Sequence, residues 1–221
     1  AEENNLLIDI NEFNSEMKKQ KSRAKAAAVT IDLTVQNNIE KLISSLDPTV
    51  FKGYESLRSV SNVLAILVDG ELVKSASTGN QIQIILDRSP FFAESGGQIG
   101  DHGLLLADGL RVAVNGVRRE QEVFIHSAVV EKGSIKINDL VDAQVDIALR
   151  ARAQSNHTAT HLLQSALKEV IDVSIGQRGS LVAFDRLRFD FNSPRPLQID
   201  DLEKIECLVN KWILLGSRAF I

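Results

Sequence analysis

An α+β fold is predicted: a helical linker over residues 1–50, a small antiparallel β-barrel over 51–152, and an α+β domain from 153 to 221. Three observations predict it. Helix-forming residues run without Gly or Pro through 12–28, strand-sized apolar stretches follow Pro48, and apolar spacing of three and four residues returns from Ser155.

The segment 12–28 is rich in Lys, Glu, Gln, Arg and Ala, so a solvent-exposed helix is expected. Its basic run, Lys18, Lys19, Lys21, Arg23 and Lys25, reads as a solvated face or as a place where RNA touches, and the charge pattern favours the first. A second helix is expected where Ile39, Leu42, Ile43 and Leu46 recur before Pro48 stops the pattern.

Strands are then expected over 63–68, 82–86, 110–114, 123–130 and 143–149. Asp69-Gly70 and Asp108-Gly109 should form type I′ hairpin turns, since both central residues there need positive φ and these residues tolerate it. Short strands with such turns make a barrel or a sandwich. Further on, Ser155 or Asn156 can cap a helix whose apolar face is Leu162, Leu163, Ala166, Leu167, Val170 and Ile171. Strands over 180–183 and 186–191 and a helix over 199–215, with Asp200 or Asp201 near its start, complete the pattern.

The chain of 221 residues is 44% apolar and 24% charged, a composition that fits an ordinary globular protein rather than a disordered one. Its longest apolar stretches are far below the roughly 18–20 residues of a membrane span, and residues 1–8 lack the basic start and apolar core of a secretory signal. The single Cys207 forms no internal disulfide and favours a reducing intracellular compartment; it is read as a small buried residue of a helix. A net charge of −4 argues against a dedicated nucleic-acid-binding domain, so any RNA contact is local.

Three motifs carry chemistry. In His157-Thr158-Ala159-Thr160-His161, two imidazoles one helical turn apart project from one face at a spacing suited to one metal ion. Thr158 stands where a zincin protease needs Glu, which disfavours that class. The run 91–101, Phe-Phe-Ala-Glu-Ser-Gly-Gly-Gln-Ile-Gly-Asp, is a loop whose glycines let backbone N–H groups approach a ligand, or mark a barrel corner. Gly176-Gln177-Arg178-Gly179-Ser180 brings an amide towards the histidine helix, or is an ordinary helix end and turn. His102 and His126 read as a loop residue and a strand-surface residue.

These motifs, in this order and together with Arg186-Leu187-Arg188-Phe189-Asp190-Phe191, resemble the alanyl-tRNA synthetase family and its free-standing editing relatives. Phe13, Met17, Gln20, Arg23 and Ala24 resemble that family's linker. The resemblance implies a barrel similar to domain II of the elongation factors, followed by the first part of an editing domain. It implies zinc on His157 and His161, completed in the family by a Cys-x-x-x-His pair. Here Lys211 stands four residues after Cys207, so the site is expected to be half built.

The implied reaction is hydrolysis of the ester joining Ser or Gly to the acceptor end of alanine tRNA, a remedy for a synthetic pocket that discriminates poorly by size. Thr160 and Gln177 are the expected catalytic contacts, although the Thr160 hydroxyl has an equal alternative in bonding the carbonyl four residues earlier. Glu94, Ser95, Gly96, Gly97 and Gln98 are expected to line the substrate pocket. Arg186 and Arg188 either face acceptor-end phosphates or occupy an exposed strand face. ATP and magnesium belong to the family's catalytic domain, expected upstream. The competing readings are a non-catalytic tRNA-binding or connecting piece and a free-standing zinc deacylase. The translation compartment implied is cytoplasm, plastid or mitochondrion.

Overall fold

The computed structural model describes residues 10–27 and 42–216, which belong to two compact units, 1–40 and 41–221. In the first unit, helix α1 (Ile10–Ala27) forms over the uninterrupted run of helix formers. Residues 12–20 are exposed along it and Lys19 pairs with Glu16 at 2.7 Å. Ile39 of the expected second helix lies outside the described residues; residues 42–44 form a helical turn whose Ile43 is buried.

The second unit begins with a closed barrel of six antiparallel strands: β1 (Arg58–Val68), β2 (Gln81–Leu86), β3 (Gly103–Ala107), β4 (Leu110–Glu120), β5 (Val123–Lys132) and β6 (Leu140–Val145). The order around the barrel is β6-β3-β4-β5-β2-β1, and β6 returns to β1 through Leu140 opposite Asn62 and Gln144 opposite Arg58. Closure pairs the strand edges that an open sheet would leave exposed. Inward alternation along the strands places Val63, Ile82, Ile84, Leu105, Val112, Val114, Val130 and Val141 in one core. Register shifts at Val63/Ala65 and Val114/Gly116 let long strands bend round this core.

Asp69 and Gly70 (φ 51° and 83°) join Val68 to Glu71 as the expected type I′ turn. At the second Asp-Gly only Gly109 has positive φ (66°); Asp108 does not, and this hairpin is therefore not type I′. The turn between β4 and β5 carries no Gly, Asn or Asp, and there Gln121 takes the left-handed conformation (φ 54°).

His126 is not on the strand surface. The register that turns Phe124, Ala128 and Val130 inward also turns His126 inward, where it is fully buried. Its Nδ1–H donates to the Ile84 carbonyl (3.1 Å), Nε2 accepts from the Ser89 hydroxyl (2.8 Å), and the Phe91 ring lies edge-on. Burial holds its pKa at about 4, so the ring is a neutral core residue.

The strand expected over 143–149 stops at Val145, because the Asp146 carboxylate accepts the Leu149 N–H (3.0 Å) and caps α2 (Ile147–Val170). The helix thus starts about two turns before the expected caps. Ser155 bonds the Ala151 carbonyl and Asn156 the Ala183 carbonyl; neither caps it. Helix α2 runs on through position 152, where the barrel was expected to end.

After α2 come a hairpin, β7 (Gln177–Val182) and β8 (Leu187–Phe191), and helix α3 (Ile199–Leu215), at the bounds its spacing predicts. Asp201 accepts the Gln198 N–H (2.9 Å) and holds Arg195 through both oxygens. A second, smaller core gathers Ala166, Leu167, Ile175 and Ile205 with Phe189, Phe191 and Trp212. Cys207 is exposed, not buried, because it lies across the helix from the stripe Ile205, Leu208, Val209 and Trp212 that packs inward.

Candidate functional site

One turn of α2 carries His157 and His161, whose rings stack with centroids 5.1 Å apart and planes 21° apart. Both side chains are exposed. The helix needs no unusual backbone to achieve this, since residues four apart are neighbours on its surface.

The 94–98 loop reaches the same helix from the barrel. Glu94 N–H donates to the Val117 carbonyl on β4 (2.7 Å), and Ser95 and Gln98 exchange backbone bonds (3.1 and 2.9 Å). The loop then runs beside β7: Ile99 N–H donates to the Val182 carbonyl and Val182 N–H to the Gly97 carbonyl (3.1 and 2.7 Å). Gly97 makes this approach possible, for it has φ of 85° and a Cβ there would lie 2.6 Å from the Ser180 carbonyl oxygen. With its backbone pinned, Gln98 is 5% exposed and its Oε1 lies 2.7 Å from His157 Nδ1. An amide oxygen has no proton to give, so Nδ1–H is the donor.

Thr160 is buried beside the histidines, and its hydroxyl donates to the Asn156 carbonyl (2.8 Å), the local alternative that its position allowed. Glu94, Ser95 and Gly96 are exposed. Gln177 opens β7 opposite Phe191, with its side chain exposed; the amide that meets the histidines is Gln98. Arg186 lies at the hairpin turn before β8 and Arg188 on the outer face of that strand, paired with Asp185 (2.9 Å) and Asp190 (3.2 Å). His102 is a loop residue, as its sequence context indicates. Its ring meets Phe184 edge-on, and partial burial lowers its pKa despite Asp101 and Asp146.

Motif reading missed one connection. Arg150, in the first turn of α2, is buried against Asp101 at the end of the glycine loop, with Nε 2.9 and 3.0 Å from the two carboxylate oxygens. Arg150 also donates to the carbonyls of Pro90 (3.0 Å) and Gly53 (3.3 Å), while Asp101 accepts the Phe92 N–H (2.7 Å). Asp101 stood in a motif; nothing in the pattern singled out Arg150.

Two stacked imidazoles suit zinc as two of its ligands. Among the described residues no group of three or more His, Cys, Asp or Glu side chains forms a set, so the fit is to half a site. A separate groove of about 750 Å³ lies between α2 and α3, lined by Thr158, Leu162, Trp212 and Leu215 and by neither histidine.

A closed barrel joined to a small α+β unit brings the paired histidines of α2 beside the glycine loop. The chain belongs to the class II (A) tRNA synthetases, whose family model matches residues 1–149. Within that family it is similar to the alanine–tRNA ligases. It is 52% identical to that of Crocosphaera subtropica, over 96% of this chain and 24% of the relative, and 52% identical to that of Trichormus variabilis, over 100% and 25%. The Prochlorococcus marinus MIT 9303 ligase is likewise 52% identical over 97% of this chain and 25% of its own length. The chain spans about a quarter of the length of these relatives. Among the described residues no helix is long and apolar enough to cross a membrane.

Proposed function

We propose that this chain is part of an alanine–tRNA ligase, an intracellular enzyme of translation that joins alanine to its tRNA using ATP, and that residues 94–191 belong to its editing site. That site hydrolyses the ester of Ser or Gly wrongly attached to alanine tRNA. The observation that carries the reading is the pair of stacked imidazoles on one turn of α2, with Gln98 bonded to one of them.

His157 and His161 would hold zinc, with further ligands from outside the described residues. Zinc so held supplies a Lewis acid for the ester carbonyl, or lowers the pKa of the attacking water. Thr160 Oγ1 donates to Asn156 and keeps lone pairs, so it can accept a hydrogen bond from the substrate's amine or hydroxyl without leaving its place. Glu94, Ser95, Gly96 and Gly97 would line the bound substrate, with Gln177 as a second polar contact. Arg186 and Arg188 can turn to acceptor-end phosphates at little cost, because the exposed ion pairs they leave contribute about 1 kcal/mol or less.

The test is made in a chain of the relatives' length carrying His157→Ala and His161→Ala singly. Hydrolysis of Ser-tRNA(Ala) should fall by more than the 10- to 100-fold typical of a metal ligand's outer partner, roughly, while attachment of alanine stays unchanged. Undiminished hydrolysis in both variants would remove the editing assignment. The 221-residue chain alone should bind zinc weakly and leave Ser-tRNA intact; stoichiometric zinc in the purified chain would contradict this half-site reading.

A further inference from the structure

We infer that Gln98 is a positioning residue: its amide oxygen holds His157 in the tautomer protonated on Nδ1, which leaves the Nε2 lone pair available as a ligand. The inference rests on the editing-site reading only for what that lone pair then binds. Geometry carries the rest. Gln98 and His157 lie 59 positions apart in sequence and 2.7 Å apart in space.

A neutral imidazole has one proton for two nitrogens, and in water the proton favours Nε2. A metal ligand needs a bare nitrogen, and the hydrogen bond made by the other nitrogen decides which one is bare. Gln98 has little freedom to let go. Its side chain is nearly fully buried, its backbone is paired with Ser95, and the bonds of Gly97 and Ile99 to Val182 fasten the residues on either side. The barrel loop therefore presets a group on α2. This is a different role from lining the substrate pocket, which the family resemblance had implied for Gln98.

The experiment uses the 221-residue chain with 15N-labelled histidine and long-range 1H–15N correlation, at a pH where His157 is neutral. Wild type should show His157 protonated on Nδ1. In Gln98→Leu the population should shift towards protonation on Nε2. Gln98→Glu, whose carboxylate also accepts from Nδ1–H, should restore the wild-type pattern, and it supplies the comparison if the Leu variant does not fold. A wild-type His157 protonated on Nε2, or a tautomer indifferent to both substitutions, would overturn the assignment.

Zinc alone, titrated into a chain of the relatives' length carrying the same substitutions, separates the two readings. Apparent affinity should fall by about 10-fold in Gln98→Leu and recover in Gln98→Glu. If the tautomer follows Gln98 but the chain of the relatives' length binds no zinc, the metal-site reading fails and the positioning role stands.

Discussion

Arg150 closes on both carboxylate oxygens of Asp101, and the pair lies buried where the glycine loop meets the first turn of α2. The same guanidinium gathers the carbonyls of Gly53 and Pro90, so one side chain ties three segments of the barrel end to the helix that carries the histidines.

Arg150→Met should destabilise the chain by about 3–5 kcal/mol in denaturant unfolding, because it leaves the Asp101 charge buried and unpartnered. Adding Asp101→Leu to Arg150→Met should cost less than the sum of the two single changes, since the stranded charge is gone. Strict additivity would show that the two residues do not act as a pair.

His126 makes stability depend on pH. Its folded pKa of about 4 lies below the unfolded value near 6.5, so the unfolded chain takes up a proton first. The neutral ring's contribution is complete above about 6.5 and is lost as pH falls towards 4, a change of about 3 kcal/mol. Unfolding free energies measured from pH 7 to 4 should show this slope, and His126→Gln should flatten it.

A second acid transition belongs to α3. The Arg195 fork, with the Gln198 N–H, holds the Asp201 pKa at about 2, below the usual carboxylate value. The support it gives is present above the unfolded pKa near 4 and disappears as pH falls through about 2. Trp212, the only tryptophan, lies on the same helix and reports on it by fluorescence. Asp201→Asn should abolish the low-pH change in its emission.

Gly96 and Gly97 should respond differently to alanine. Both have positive φ, but a Cβ on Gly96 meets open space whereas one on Gly97 strikes the Ser180 carbonyl. Gly96→Ala should cost about 1 kcal/mol, the strain of a left-handed residue alone. Gly97→Ala should cost about 3 kcal/mol, because the bonds between the loop and Val182 must also loosen. Equal losses would mean that the loop is not held against β7.

Local pattern determined much of this protein. Period-2 apolar runs and Asp-Gly turns made the barrel legible, a three- and four-residue stripe set α3 to its observed bounds, and the resemblance carried by 91–101 and 156–163 pointed to its family. Those signals act within a few residues, and sequence displays them directly. The Asp146 cap of α2 and the inward register of His126 are local signals that the motif reading passed over, whereas only tertiary structure decided that Gln98 and Arg150 close on partners 59 and 49 positions away. A hydrogen bond at that range leaves no periodic trace. It depends on how barrel closure and helix docking bring two distant backbones together, and spacing along the chain does not encode that meeting.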